Sequence, residues 1–202
     1  MVRRLLIASL LGAIAMFVWG FLFWAVLAVA ISPWKPLSAY GTATLESLKR
    51  ELPAAGVYQY PWVDGSSPDH EGMEQEFQRQ QEQGPFVQIV YDPAGMAGAA
   101  MGMVMLKGFL HMLASALLAS VLLQACGPMC CYTARWAQVT GFGVLATLWV
   151  EVGDSIWWHH PLSHVAFVGV YHIVNWAIAG AVLAACLRGT PASTAAPGES
   201  KA

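Results

Sequence analysis

The side chains best suited to chemistry lie between Glu151 and Asn175, where carboxylates and histidines interrupt sequence otherwise fit for lipid. The stretch reads EVGDSIWWHHPLSHVAFVGVYHIVN. Ionisable side chains inside membrane segments are rare and costly, so a site is expected here before anywhere else. The pattern predicts the outer end of one membrane helix, a turn at Pro161 and the first half of the next helix.

Charged residues at similar depth in two helices favour an ion pair. Lys107 and Glu151 each lie a few residues inside the outer end of their predicted helices, and an unpaired charge in hydrocarbon costs about 2.5–3.5 kcal/mol. A structural ion pair between them is the first interpretation. A proton or ion relay through Lys107, Glu151, Asp154 and His111 is the alternative.

Two histidines are predicted at a similar depth near the middle of the membrane, His111 and His172. A facing pair of imidazoles is the usual axial ligand set of a membrane haem b, so a cofactor site is one hypothesis. The other is that each histidine forms a hydrogen bond between helices, His172 with Asn175 nearby.

Two clusters carry metal-ligating side chains. The first, at the external surface, offers nitrogen and oxygen ligands to Zn²⁺ or Cu²⁺, with Glu151 as a substitute carboxylate: Asp154, His159, His160 and His164. The second would gather a cytoplasmic Zn²⁺ from Cys126, Cys130, Cys131 and Cys186. Neither follows a standard zinc spacing, so packing histidines and free thiols are the alternatives.

The composition indicates a membrane protein. Hydrophobic residues make up 57% of the 202 residues and charged residues only 11%, far below a soluble domain. The net charge of −2 and the lack of a basic run argue against nucleic-acid binding. Serine-protease-like, phosphate-loop and metalloprotease patterns are missing from the sequence, so an enzyme is the less favoured class.

The fold class predicted is a membrane four-helix bundle, all-α, with a small extracytoplasmic α/β insert. Four apolar runs give the membrane helices, and the polar insert holds nine of the twelve acidic residues. The segments are helix 1 (1–32), the insert or cap (33–94), helix 2 (95–125), helix 3 (136–158), helix 4 (161–188) and a disordered cytoplasmic tail (189–202).

Local signals order the cap as helix, strand, helix, strand. Leucines at helical spacing precede Pro53, GVYQYPW alternates like a strand, a Glu/Gln-rich run ends at Gly84-Pro85, and FVQIVY forms the second strand. The cap is small enough that we expect it to rest on the membrane helices. Small-residue pairs, Ala8 with Gly12 and Gly98 with Gly102, predict close helix contacts.

Arginines in the short connecting segments predict the topology. With the amino terminus inside, Arg3, Arg4, Arg135 and Arg188 all lie on the cytoplasmic side and the cap is periplasmic. This predicts a multi-pass protein of a bacterial inner membrane with both termini cytoplasmic.

The chain resembles a family of small bacterial inner-membrane proteins of uncharacterised function that have one helix, an external insert and three further helices. The matching residues are Phe17-Val18-Trp19-Gly20, Leu52-Pro53, Gly56-Val57-Tyr58, Gly84-Pro85, Tyr91-Asp92-Pro93-Ala94-Gly95, Trp176, Ala179-Gly180 and Leu183-Ala184. The resemblance implies the architecture and location but no activity. This chain has WWHHPLSH where the family has aromatic-Gly-aromatic-Pro, so the histidines are expected to be particular to it.

The expected function is an accessory or interaction component of the cell envelope, embedded in the lipid bilayer and bound to a membrane-protein partner or to copies of itself. A redox or metal-handling membrane protein that uses the histidines is the alternative, and a small ion or proton transporter is the third hypothesis.

The uncharged run of 28 residues from Leu5 to Ser32 predicts an uncleaved anchor. The rival is a signal peptide cut after Ala28-Val29-Ala30, whose small residues resemble a cleavage site. We expect intact-mass measurement of the purified chain to retain Arg3. A mature chain that begins after Ala30 would contradict the anchor.

Overall fold

The computed structural model describes residues 2–37, 42–63, 70–95, 98–126 and 131–187. Four helices are long and apolar enough to cross a membrane, and a two-stranded sheet lies between the first two. The predicted helical fold with four such helices and a small insert is confirmed to this extent. The predicted tail 189–202, Cys130 and Arg188 lie outside the described residues.

The long helices are α1 (Val2–Ile31), α4 (Gly98–Ala125), α5 (Tyr132–Trp157) and α6 (Leu162–Cys186). Two of them contain π-helical turns near the cap, Leu22–Leu27 in α1 and Leu148–Val152 in α5. Such turns change the direction in which the following side chains point, and they occur often at functional sites. Both π-helical turns lie in the half of the helix that is nearer the cap.

The cap contains α2 (Thr42–Glu51), β1 (Gly56–Tyr60), α3 (His70–Gln83) and β2 (Val87–Tyr91), in the predicted order. The strands pair antiparallel, with Gly56 opposite Tyr91 and Tyr60 opposite Val87. Gly84 adopts a positive φ of 63°, the left-handed conformation that commonly ends a helix. The cap meets the turn between α5 and α6 where the Phe86 ring lies 4.8 Å from that of His159.

Packing among the long helices places α1 and α6 at the centre. α1 packs against α4 and α6, and α6 packs most extensively against α5. α4 and α5 make far fewer contacts with each other. The predicted Ala8–Gly12 contact is confirmed: both residues are buried, and Gly12 lies against Leu183 of α6 and Ala116 of α4.

Helix α5 begins at Tyr132, four residues before the predicted start at Trp136. The prediction excluded Arg135 from the apolar span. In the structure Arg135 is buried within α5, and its Nε donates a hydrogen bond to the carbonyl of Ala184, 3.2 Å away. Because the last carbonyls of a helix lack partners in their own helix, this arginine stabilises the end of α6.

Glycines bring α5 and α6 into close contact. A side chain at Gly143 would overlap Trp176, and one at Gly180 would lie 3.1 Å from the carbonyl oxygen of Trp136. We expect Gly143→Ala to lower the free energy of unfolding by about 1–3 kcal/mol, since overpacking displaces both helices.

Gly141→Ala is the matched control, since nothing lies within 4 Å of a Cβ at that position. It should be neutral or slightly stabilising, because alanine is the better helix former. The free energy of unfolding of each variant is measured from the loss of helical circular dichroism as the protein is denatured in detergent. Equal stability of the two variants would contradict the close contact.

Candidate functional site

A carboxylate and an imidazole meet between α5 and α6. Oε1 of Glu151 lies 3.5 Å from Nε2 of His172. The Glu151 side chain is only 10% exposed, whereas that of His172 is 40% exposed. Glu151 belongs to the π-helical turn Leu148–Val152, so the irregular helix geometry sets its direction. The buried Glu151 carboxylate thus lies beside the His172 imidazole, which carries a compensating positive charge when it is protonated.

His111 is the third member of this cluster. It lies on α4, exposed, and within electrostatic range of His172. The Glu151 carboxylate on α5 attracts a protonated His172, whereas a protonated His111 would repel it. The structure therefore brings together His111, Glu151 and His172. The sequence analysis paired His111 with His172 as haem ligands and placed His111 with Glu151 in a proton relay, but it grouped the three in no single site. We call these three residues the inner cluster.

The predicted Lys107–Glu151 ion pair is not found among the residues that the structure describes. Glu151 faces His172 instead, and Lys107 is exposed on α4. The two residues are at comparable depth, but α4 and α5 pack only weakly against each other, whereas α5 packs tightly against α6. The partner of Glu151 is therefore supplied by the tightly packed neighbour.

The haem hypothesis for His111 and His172 stays a prediction. Axial ligation needs a ring nitrogen from each of His111 and His172 directed at one iron. Nε2 of His172 is directed at the Glu151 carboxylate. Asn175, the other partner suggested for His172, is buried, and its Oδ1 accepts no hydrogen bond from the residues that the structure describes.

The predicted external metal ligands are engaged in other contacts. Nδ1 of His164 accepts a hydrogen bond from Nε1 of Trp34 at 3.0 Å, which leaves that nitrogen unavailable to a metal. The His160 ring lies edge-on to that of His164, with centroids 5.2 Å apart, and His159 packs against Phe86. Asp154 is half-buried one turn beyond Glu151.

Across the described ranges, no group of three or more His, Cys, Asp and Glu side chains forms an arrangement that could hold a metal ion. This covers Asp154, His159, His160 and His164. It also covers the described cysteines of the predicted cytoplasmic site. Of these, Cys126 and Cys131 are exposed and Cys186 is half-buried. Sγ of Cys131 lies 3.2 Å from Oγ1 of Thr133.

An aromatic cluster between α1 and α6 fixes the helices beside the site. Phe23 is buried against Phe167 and Tyr171, with ring centroids 4.9 and 5.0 Å away. Trp24 stacks on Trp34 with centroids 5.4 Å apart. The sequence analysis did not identify Trp34, although its position just beyond the end of a membrane helix is typical of aromatic residues at the membrane interface.

The cap carries an open groove of about 360 Å³. Its lining residues come from α3 and the segment after β1: Trp62, Gly72, Met73, Glu76, Phe77 and Gln80. Hydrogen bonds from Arg79 and then Gln80 lower the pKa of Glu76, so this carboxylate is ionised at neutral pH. The groove thus combines an exposed aromatic residue with one negative charge.

Comparison of the chain with family models, curated proteins and solved structures gives no match.

A double-mutant cycle tests the pairing within the inner cluster. We expect Glu151→Gln and His172→Gln to show a coupling free energy of about 0.5–1.5 kcal/mol in unfolding experiments, because each change alone leaves the other group without its partner. Lys107→Met combined with Glu151→Gln is the matched control and should be additive. A larger coupling for Lys107 than for His172 would contradict the observed pairing.

Proposed function

We propose that this protein is an accessory component of a bacterial inner-membrane complex that binds a partner's transmembrane helix along α4. The four long apolar helices support the membrane setting. Arg3 and Arg4 at the start of α1, and Arg135 at the start of α5, lie at the helix ends opposite the cap, as the positive-inside rule requires for cytoplasmic termini and a periplasmic cap. The family resemblance agrees with this location.

A polar stripe on α4 carries the proposal. Lys107, His111 and Ser115 recur every fourth residue, so they share one side of the helix. The side of α4 that packs against α1 carries other residues: Phe109, Met112, Leu113 and Ala116. Lys107 and His111 are therefore exposed on the side away from α1.

The energy of this stripe in lipid favours a partner. An unpaired lysine in hydrocarbon costs about 2.5–3.5 kcal/mol, although a long side chain near a helix end reaches toward the headgroups. His111 lies one turn deeper, about 6 Å further along the helix, and is too short to do so. A neighbouring helix that bears a carboxylate would remove both penalties.

A glycine near the stripe leaves room for such a helix. Gly108, three residues before His111 on the same side of α4, meets nothing among the described residues within 4 Å of an added Cβ. The apolar side chains of Val104 and Leu118 are exposed on that side as well. Gly102 lies about 140° around the helix from Lys107, and among the described residues it does not make the predicted Gly98–Gly102 contact. Close approach of two backbones through small residues is the usual way in which membrane helices associate.

A different protein fits better than a second copy. In a parallel two-fold pair formed through α4, each Lys107 would face the polar stripe of the other copy, so the two ammonium groups would lie close together and repel each other. A partner helix with Asp or Glu at this depth supplies the opposite charge. The proposed partner is therefore a membrane protein with an intramembrane carboxylate.

In-cell photo-crosslinking tests this surface. A crosslinking residue placed at Val104 or Leu118, exposed on α4, should capture one defined membrane protein, whereas one at Leu145 on α5 should capture only lipid. Lys107→Glu should reduce capture of the partner from Val104 or Leu118 at least tenfold. Lys49→Glu, an equal charge change on the exposed α2, should not.

Restoration of capture completes the test. Replacing the partner's carboxylate with lysine should restore binding to the Lys107→Glu variant, because the ion pair is re-formed with its charges exchanged. Equal capture from α4 and α5, or capture that is indifferent to Lys107, would contradict the proposal.

A further inference from the structure

Ionisable side chains in the long helices are distributed unequally between the two sides of the membrane. All the acids, histidines and lysines of α1, α4, α5 and α6 lie in the halves nearer the cap: Lys107, His111, Glu151, Asp154, His164 and His172. The opposite halves of these helices contain no Asp, Glu, His or Lys, and their charged side chains are Arg3, Arg4 and Arg135 near the helix ends. A proton that enters from the cap side therefore meets Asp, Glu, His or Lys side chains only in the first half of the membrane.

The inner cluster lies where this series of groups ends. Glu151 and His172 meet at 3.5 Å, and Asp154 lies one turn nearer the cap on the same helix. Toward the other side, the next polar side chain of α6 is Asn175, an amide that does not titrate. The acid and the imidazole thus form the deepest ionisable pair of α5 and α6.

The charge states of the pair favour one bound proton. With one proton the pair has no net charge, either as carboxylate with imidazolium or as carboxylic acid with imidazole. With none it carries −1, and with two it carries +1. Because a net charge between membrane helices is costly, the pair with one proton is the favoured state.

The groups facing the pair come from three directions. α4 contributes His111, within electrostatic range of His172, and α5 contributes Asp154. On the cap side, α6 contributes His164, whose Nδ1 accepts a hydrogen bond from Trp34. α1 contributes none at this depth, since Arg3 and Arg4, its only ionisable side chains, lie at the opposite end.

We propose that Glu151 and His172 form an intramembrane proton-binding site that exchanges its proton with the cap side only. The proton moves between aqueous solution and the pair, and no bond other than those to hydrogen changes. The opposite halves of the helices hold no Asp, Glu, His or Lys, so no second carboxylate, imidazole or amine takes the proton further, and the site is a dead end rather than a path across the membrane. The proton-binding pair lies on α5 and α6 and goes beyond the proposed binding function, with which it shares only the neighbouring His111 on α4.

The test uses the full chain in liposomes. Its orientation is read from Cys126 and Cys131, which are exposed on the side opposite the cap and react there with an impermeant maleimide. Infrared difference spectra are then recorded while the pH is stepped on one side. A step on the cap side should change the carboxyl and imidazole bands, and a step on the other side should leave them unchanged.

Matched variants assign the signal. Glu151→Gln should remove the carboxyl change and His172→Gln the imidazole change, whereas Glu82→Gln, the same substitution on an exposed cap helix, should leave both. If Glu151→Gln does not fold, Glu151→Asp keeps a carboxyl group and should shift its band. If the pH-dependent carboxyl and imidazole bands are the same in the Glu151 and His172 variants as in the unmodified protein, the proposal is overturned.

Proton flux decides whether the site is a dead end. With an imposed membrane potential, liposomes that contain the protein should acidify no faster than empty ones. Sustained flux that depends on Glu151 would overturn the one-sided site and indicate a transporter. Equal band changes from steps on either side would overturn it as well.

Discussion

The close contact between α5 and α6 is the constraint on which the remaining polar architecture depends. Gly143 lies directly beneath Trp176, and Gly180 approaches the backbone of α5 at Trp136. At one end of this interface Arg135 binds the carbonyl of Ala184. Nearer the other end, the π-helical turn in α5 directs a carboxylate toward α6 rather than away from it. Without this approach, Glu151 would have no partner within reach.

Polar side chains in the long helices fall into two groups. Some have partners within the chain, as in the Glu151–His172 pair and the buried contact between Ser9 and Ser120, whose Oγ atoms are 3.0 Å apart. Lys107, by contrast, is exposed on α4. Unpaired polar groups are costly in lipid. The side chains paired within the chain therefore stabilise the helix packing, whereas exposed Lys107 points to a contact with another molecule.

The order of elements in the cap was predictable because its signals are local. Leu45, Leu48 and Leu52 have helical spacing, and Gly84 ends the next helix through its positive φ. The partner of Glu151 was not predictable in this way. Sequence gives the approximate depth of a residue along a membrane helix, and by this measure Lys107 matched Glu151, whereas His172 was predicted deeper, near the middle of the membrane. Which one faces Glu151 depends on which helices pack together and how each is rotated, and a π-helical turn changes that rotation locally.

Arg135 shows the same limit at the other end of α5. A rule that keeps charges out of membrane spans placed the helix start after it, but the guanidinium lies inside the helix, where it binds a carbonyl of α6. The histidines that suggested a metal site were likewise predictable in position along the chain. Their side-chain partners, Phe86 for His159 and Trp34 for His164, come from distant segments and were not.

The most direct measurement is the distance between the Glu151 carboxyl carbon and the His172 imidazole nitrogens in lipid bilayers, by solid-state NMR of selectively labelled protein. The account predicts a strong carbon–nitrogen dipolar coupling between these two side chains and none between Glu151 and the Lys107 ammonium group. A coupling of Glu151 to Lys107 in place of His172 would contradict it.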